Sequence, residues 1–194
     1  MGLIVMLLGL VLFIGPHLFV TMREARARVI DQWQLGRYKL AFSVASAIGI
    51  VLIAYGFSQY RATGWVQLWA PPAWTRHIPV VLMWPSIVLI LAAYLPGFIK
   101  QKTRHPMLAG VKLWAFSHLL ANGDLGSLIL FGSFLAWAVY SRIAAKRREP
   151  AHGASVVHGS WKNDATAVVV GTLVYLAVGY VFHPVVIGVP AFGR

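Results

Sequence analysis

Six stretches of this chain are apolar enough to cross a bilayer, a passage of ~30 Å that takes about 20 helical residues. They run roughly over Gly2–Val20, Leu40–Phe57, Ile78–Phe98, Met107–Ala121, Leu125–Tyr140 and Ala165–Ile187. No other feature narrows the fold so far. Lipid offers no partner to backbone N–H and C=O groups, so only helices and closed barrels satisfy them there. The six stretches lack the period-two alternation of barrel strands. The expectation is therefore an all-α, polytopic membrane helix bundle with about six transmembrane helices, residues 1–194 forming one transmembrane domain. The fourth stretch is the shortest and carries Lys112 and His118. Asn122-Gly123-Asp124 follows it, a tripeptide suited to a tight turn into the fifth.

Composition agrees with this reading and removes others. Apolar residues make up 59% of the chain and charged residues 11%, with a mean hydropathy of +0.71. A soluble domain needs more charge to wet its surface, and a disordered chain needs fewer apolar groups. The absence of Cys excludes disulfides, thiolate-ligated haem, iron–sulfur clusters and Cys-type zinc sites. The chain has 17 Lys/Arg against 5 Asp/Glu, in short runs between the apolar stretches. Nucleic acid would call for a basic face on a soluble domain, so the expected partner of this charge is the lipid bilayer.

Lys/Arg counts in the connections set the orientation. Fourteen fall on one side, in the first, third and fifth connections or just inside their flanking helices, against Arg61, Arg76 and Arg194 on the other. The fourteen belong in the cytoplasm, which puts both termini in the periplasm. The first stretch has no preceding basic residue and no small-x-small cleavage pattern, so it reads as a retained span. Met22–Leu35 sets Val29, Ile30 and Trp33 on one helical face and is a candidate surface-lying helix. The outer connection Ser58–His77, with Trp65, Trp69 and Trp74 around Pro71-Pro72, suits the membrane–water boundary. Ala151–Lys162 reads as a flexible loop.

Acidic groups are too scarce for many mechanisms. No carboxylate pair falls within a span, which disfavours carboxylate proton relays and glycosidase chemistry. No nucleophile elbow, Walker A, H-E-x-x-H or dinucleotide fingerprint is present. Histidine remains. His17 lies inside the first span after Gly15-Pro16, and His118 inside the fourth, one turn after Trp114. A buried imidazole either bonds a hydroxyl, carbonyl or water and helps helices pack, or ligates a metal such as haem iron. His105, before Pro106, reads as an interfacial cap beside Arg104, and His183-Pro184 as a helix-end device. Lys112 can snorkel to the headgroups or meet an acidic group within the bundle.

Several runs carry a resemblance to a known family. They are Gly36-Arg-Tyr-Lys-x-x-Phe-Ser-x-x-Ser46, Trp69-Ala-Pro-Pro-Ala-Trp74, Ala92-Ala-Tyr-Leu-Pro-Gly97 and Arg104-His-Pro-Met-Leu108. The longest is Lys112-Leu-Trp-Ala-Phe-Ser-His-Leu-Leu-Ala-Asn-Gly-Asp124, continuing into Phe134-Leu-Ala-Trp-Ala-Val139. Together they resemble the NnrU family of bacterial integral membrane proteins. The resemblance implies a multi-pass protein of the bacterial inner membrane, associated with denitrification and with production of active nitrite and nitric oxide reductases. It also implies kinship with 15-cis-zeta-carotene isomerase, a membrane enzyme using haem b, whose haem-coordinating histidines map onto His17 and His118. That relative's alternative sulfur ligand is replaced by Ala115.

These implications give a haem b protein with His17 and His118 as axial ligands and Arg104, His105 or Lys112 holding propionates. His105, closer in depth to His17, is the alternative partner for it. A haem-dependent polyene isomerase and a cofactor-free assembly factor are the competing expectations. Arg104-His105-Pro106 with Gly110 also resembles the motif of membrane methyltransferases acting on isoprenylcysteine, whose acidic and Arg-containing cofactor motif has no counterpart in the Arg142–Lys162 loop.

Overall fold

The computed structural model describes residues 1–148 and 159–192. Glu149, His152, His158, Arg194 and most of the loop expected over 151–162 lie outside the described residues. The helices are α1 (Gly2–Phe19), α2 (Arg23–Trp33), α3 (Leu35–Thr63), α4 (His77–Ala92), α5 (Phe98–Thr103), α6 (Pro106–Ala121), α7 (Leu125–Lys146) and α8 (Trp161–Ala177). A 3-10 turn at Ala73–Arg76 leads into α4, and a π-helical stretch, Val178–Ile187, extends α8. Among the described residues, five segments are long and apolar enough to span: Gly2–Phe19, Leu35–Thr63, Ala73–Ala92, Leu125–Lys146 and Trp161–Ile187. The sixth expected span, α6, has 16 residues, just short of the ~17 that a bilayer core requires.

Two boundaries differ from expectation for identifiable reasons. The third span stops at Ala92, well before Phe98, because Pro96 has no N–H to continue the ladder and the chain turns at residues 93–97. The second runs from Leu35 to Thr63, beyond Leu40–Phe57, because helical hydrogen bonding continues through the polar residues that flank the apolar run.

The chain forms two compact units. The first comprises residues 1–68 and 124–133. Its centre is the antiparallel pair of α1 and α3, which meet backbone to backbone along glycines spaced two helical turns apart on each helix. A Cβ on Gly9 would come within 2.6 Å of the Ile53 nitrogen, and one on Gly49 within 2.8 Å of the Phe13 nitrogen. Gly56 sits in the same way against Met6 and Gly2. Such small-residue seams are how membrane helices gain close packing without a hydrophobic driving force. The opposite faces expose Ile4, Leu8 and Val11 of α1 and Val44, Ile48 and Val51 of α3, a surface suited to acyl chains. At the far end of the seam, the buried Tyr60 hydroxyl accepts from the Val66 N–H at 3.0 Å, and its ring fills the space left by Gly126.

Helix α2 is a separate helix, as the amphipathic pattern of Met22–Leu35 suggested, joined to α3 through Gln34 alone. Gln34 has φ 66° and ψ 149°, a region that essentially only glycine occupies without strain. Gln34→Gly is expected to raise stability by about 1 kcal/mol, read as a later midpoint in detergent-titration unfolding followed by circular dichroism.

The second unit comprises residues 69–123 and 134–194. Helix α4 packs antiparallel against both α6 and α8. Ser86 Oγ donates to the Gly110 carbonyl at 2.8 Å, and the absence of a side chain on Gly110 lets α6 approach the Ser86 backbone. Toward α8, Trp84 Nε1 donates to Thr172 Oγ1 at 2.9 Å and the Tyr175 hydroxyl to the Val80 carbonyl at 2.7 Å. The short α5 is tied to the start of α8, where the Asp164 carboxylate accepts from the Phe98 and Ile99 N–H groups at 2.8 and 3.1 Å. These are helix N-terminal donors with no intrahelical partner, which a carboxylate satisfies well.

Candidate functional site

The second unit holds a cavity of about 370 Å³, within the roughly 300–1,000 Å³ range of small-molecule sites. It lies where the start of α4, the last turn of α6 and the end of α8 meet. Most of its wall is apolar, from Val80, Met83, Ile87 and Val178, with Arg76, His77, His118 and His183 among the lining residues. An apolar chamber with a few convergent polar groups is the usual form of a cofactor or substrate site.

His118 is positioned from both sides. Its ring packs on Trp114 one turn earlier, with centroids 5.7 Å apart, and Trp114 is wedged edge-on against Phe134 at 5.2 Å. Its Nδ1 lies 2.8 Å from the Trp114 carbonyl. A carbonyl only accepts, so Nδ1 carries the proton and Nε2 carries the lone pair, the tautomer of metal-ligating histidines. The end of the turn is closed by Asn122, whose Nδ2 donates to the His118 carbonyl at 2.8 Å. Asn122-Gly123-Asp124 is accordingly not the tight turn its composition suggested. Asn122 is extended and caps α6, while Asp124 is fully buried and caps α7, its Oδ1 accepting from the Ser127 N–H at 2.9 Å.

His183 stands beside His118, the ring centroids 6.3 Å apart and the planes inclined by 36°. The π-helical stretch that carries it contains Pro184 and ends at Gly188, whose φ of 74° turns the chain back. The returning segment seats Phe192 against Tyr175 and Tyr180, at 5.1 and 4.6 Å between centroids, over the bare Gly179 backbone. His183 thus does more than end a helix, as its position before a proline had suggested. It faces the same chamber as His118.

The remaining expected site residues fall elsewhere. His17 belongs to the first unit, where its ring lies between Phe13 and Phe42 with centroids 4.3 and 4.7 Å away, and its Nδ1 is 2.7 Å from the Phe13 carbonyl. It has the same tautomer as His118. Arg104 and His105 form the junction between α5 and α6, Arg104 with φ 59°. His105 caps the start of α6, and at 1.5 Å per residue about 20 Å of helix separates it from His118. Lys112 lies midway along the same helix. Arg76 and His77, not singled out from sequence, are among the polar residues that line the cavity with His118. Among the described residues no group of three or more His, Cys, Asp or Glu gathers in metal-binding geometry.

Helices long and apolar enough to cross a bilayer define a multi-pass helical membrane protein, and the imidazole-lined cavity of its second unit is its candidate site. The family model described as NnrU protein matches residues 5–191, nearly the whole chain, and the protein belongs to the NnrU family. No curated protein and no solved structure matches it.

Proposed function

We propose that this NnrU-family protein is a haem b-binding protein of the bacterial inner membrane. In this reading it supports production of active nitrite and nitric oxide reductases through haem-based redox or nitric oxide chemistry, and both termini face the periplasm. The observation that carries the reading is the His118 ring. Its proton is engaged by the Trp114 carbonyl, which leaves Nε2 as the donor atom, in an apolar chamber large enough for a small-molecule ligand. An imidazole held in this tautomer suits haem iron. His17, with its Nδ1 engaged by the Phe13 carbonyl, is the second ligand that the family resemblance offers.

Bound haem would supply a redox-active iron able to take a diatomic ligand. The chain's own part is to hold and shield it. His118 would hold the iron, Trp114 sets the angle of His118, and the apolar wall would limit access of water. Arg76, which lines the chamber, is the cation suited to a propionate there, and Arg104, His105 and Lys112 are the cations expected from sequence. Ala115, fully buried, leaves no sulfur at the position where the isomerase relative carries its alternative ligand. This speaks for a haem carrier over an isomerase that switches ligands.

The test is a purified preparation from a haem-sufficient host, examined by absorption and by the pyridine haemochrome assay. A Soret band with about one haem b per chain is expected. A colourless preparation that co-purifies with a reductase would replace the proposal with a cofactor-free assembly role.

A further inference from the structure

We infer that the groove between α1, α2 and α3 seats one anionic phospholipid, its acyl chain among apolar side chains and its phosphate against Arg26 and the Tyr38 hydroxyl. This site belongs to the first unit and is independent of His118 and of the haem reading.

The groove begins where the glycine seam ends. Gly9, Gly49 and Gly56 are each met by backbone of the facing helix, but a Cβ on Gly15 would have nothing within 4 Å. Gly15 instead borders a recess of about 300 Å³, at the lower end of the range of small-molecule sites. Pro16 and Phe19 of α1, Phe42 and Ala45 of α3, and Val29 and Trp33 of α2 line it. None of these six side chains is charged, and those of α1 and α3 fall within apolar runs that the sequence assigns to the bilayer. Walls of this kind at this depth suit an acyl chain. Gln34, at φ 66°, turns the chain between α2 and α3 and lets α2 supply the third wall.

The polar end is built on two stacked side chains. The Arg26 guanidinium carbon stands 5.4 Å from the centroid of the Tyr38 ring, and Tyr38 also lines the recess. Stacking uses the face of the guanidinium and leaves its N–H donors in the plane, where an anion can meet them. Arg26 Nε and the Tyr38 hydroxyl are both shut off from solvent, and neither has a hydrogen-bond partner among the described residues. Orphaned donors of this kind are costly, and a phosphate oxygen satisfies them with a charge-assisted bond.

Charge selects among the possible occupants. From Arg23 to Lys39 five Lys/Arg stand against Glu24 and Asp31, and Glu24 already pairs with Arg28 at 3.9 Å. A zwitterionic lipid would bring its own cation to this rim, and a free phosphate would leave the apolar walls bare. An anionic phospholipid matches both ends, and basic segments beside a span attract such lipids.

The full-length protein in detergent micelles is titrated with phosphatidylglycerol and, separately, with phosphatidylcholine, and lipid retained per chain is counted by native mass spectrometry. The parent is expected to retain one phosphatidylglycerol, with about tenfold or greater preference over phosphatidylcholine. Tyr38→Phe, which removes one oxygen, and Arg26→Gln are each expected to weaken retention about tenfold. Gly15→Leu fills the recess without changing the charge and is expected to abolish the tight site, its helical circular dichroism unchanged because the space beside Gly15 is open. Arg28→Gln removes the same charge from the Glu24 pair and is expected to cost at most about fivefold. Equal retention of the two lipids, or equal losses in Arg26→Gln and Arg28→Gln, would overturn the inference and reduce the attraction to general surface charge. Binding of inorganic phosphate with the same sensitivity to Arg26 and Tyr38, and none to Gly15→Leu, would overturn it in favour of a free-anion site.

Discussion

His118→Ala is expected to abolish stoichiometric haem binding, the Soret absorbance of the purified variant falling to baseline with its helical circular dichroism unchanged. Both halves follow from how the ring is held. The ring packs on Trp114 and stands beside His183, while the backbone there is fixed by the Asn122 cap and by helix bonds that alanine keeps. Removing the ring therefore takes away the proposed donor atom without loosening α6. Trp114→Ala is a graded companion. Its carbonyl still accepts from the ring, but the packing that sets the ring angle is gone, and losses of about 10- to 100-fold in affinity are typical of such supporting contacts. A His118→Ala protein that retained a full complement of haem would remove His118 from the site.

The second large effect lies far from any chemistry. Gly56→Leu is expected to cost about 3 kcal/mol or more, enough to prevent recovery of folded protein, because the added side chain would overlap main-chain atoms of Met6 and Gly2. Backbone atoms in a helix cannot step aside as the end of a long side chain can, so α1 and α3 would have to separate along their whole seam. Gly132, also in a helix of the first unit, has nothing within 4 Å of the space a Cβ would take. Gly132→Ala is therefore expected to be neutral or to gain up to about 1 kcal/mol from helix propensity. Detergent-titration unfolding of the pair reads the opposite signs directly. Equal effects at Gly56 and Gly132 would show that the seam contributes no close packing.

Much of the fold was legible in the chain because hydropathy and helical hydrogen bonding are local. Each apolar stretch became a helix, and Met22–Leu35 became a helix of its own. The glycine seam was legible in part, since Gly2 and Gly9, and Gly49 and Gly56, each lie two turns apart. That spacing marks a face without saying which helix covers it. The boundaries that failed, at Ala92 and Thr63, were those where a turn or a polar helix end outweighs the apolar count.

The site divides in the same way. Sequence alone determined that this is a helical membrane protein whose candidate ligands within the spans are imidazoles, because burial in lipid leaves a chain no other way to satisfy its backbone and the spans hold neither Cys nor a pair of carboxylates. The tertiary structure alone decided that His118 and His183, 65 positions apart, face one chamber with Arg76 and His77. That meeting depends on α4 lying antiparallel between α6 and α8 and on the π turn before Gly188. Both arise from packing between distant segments, which no local pattern of residues encodes.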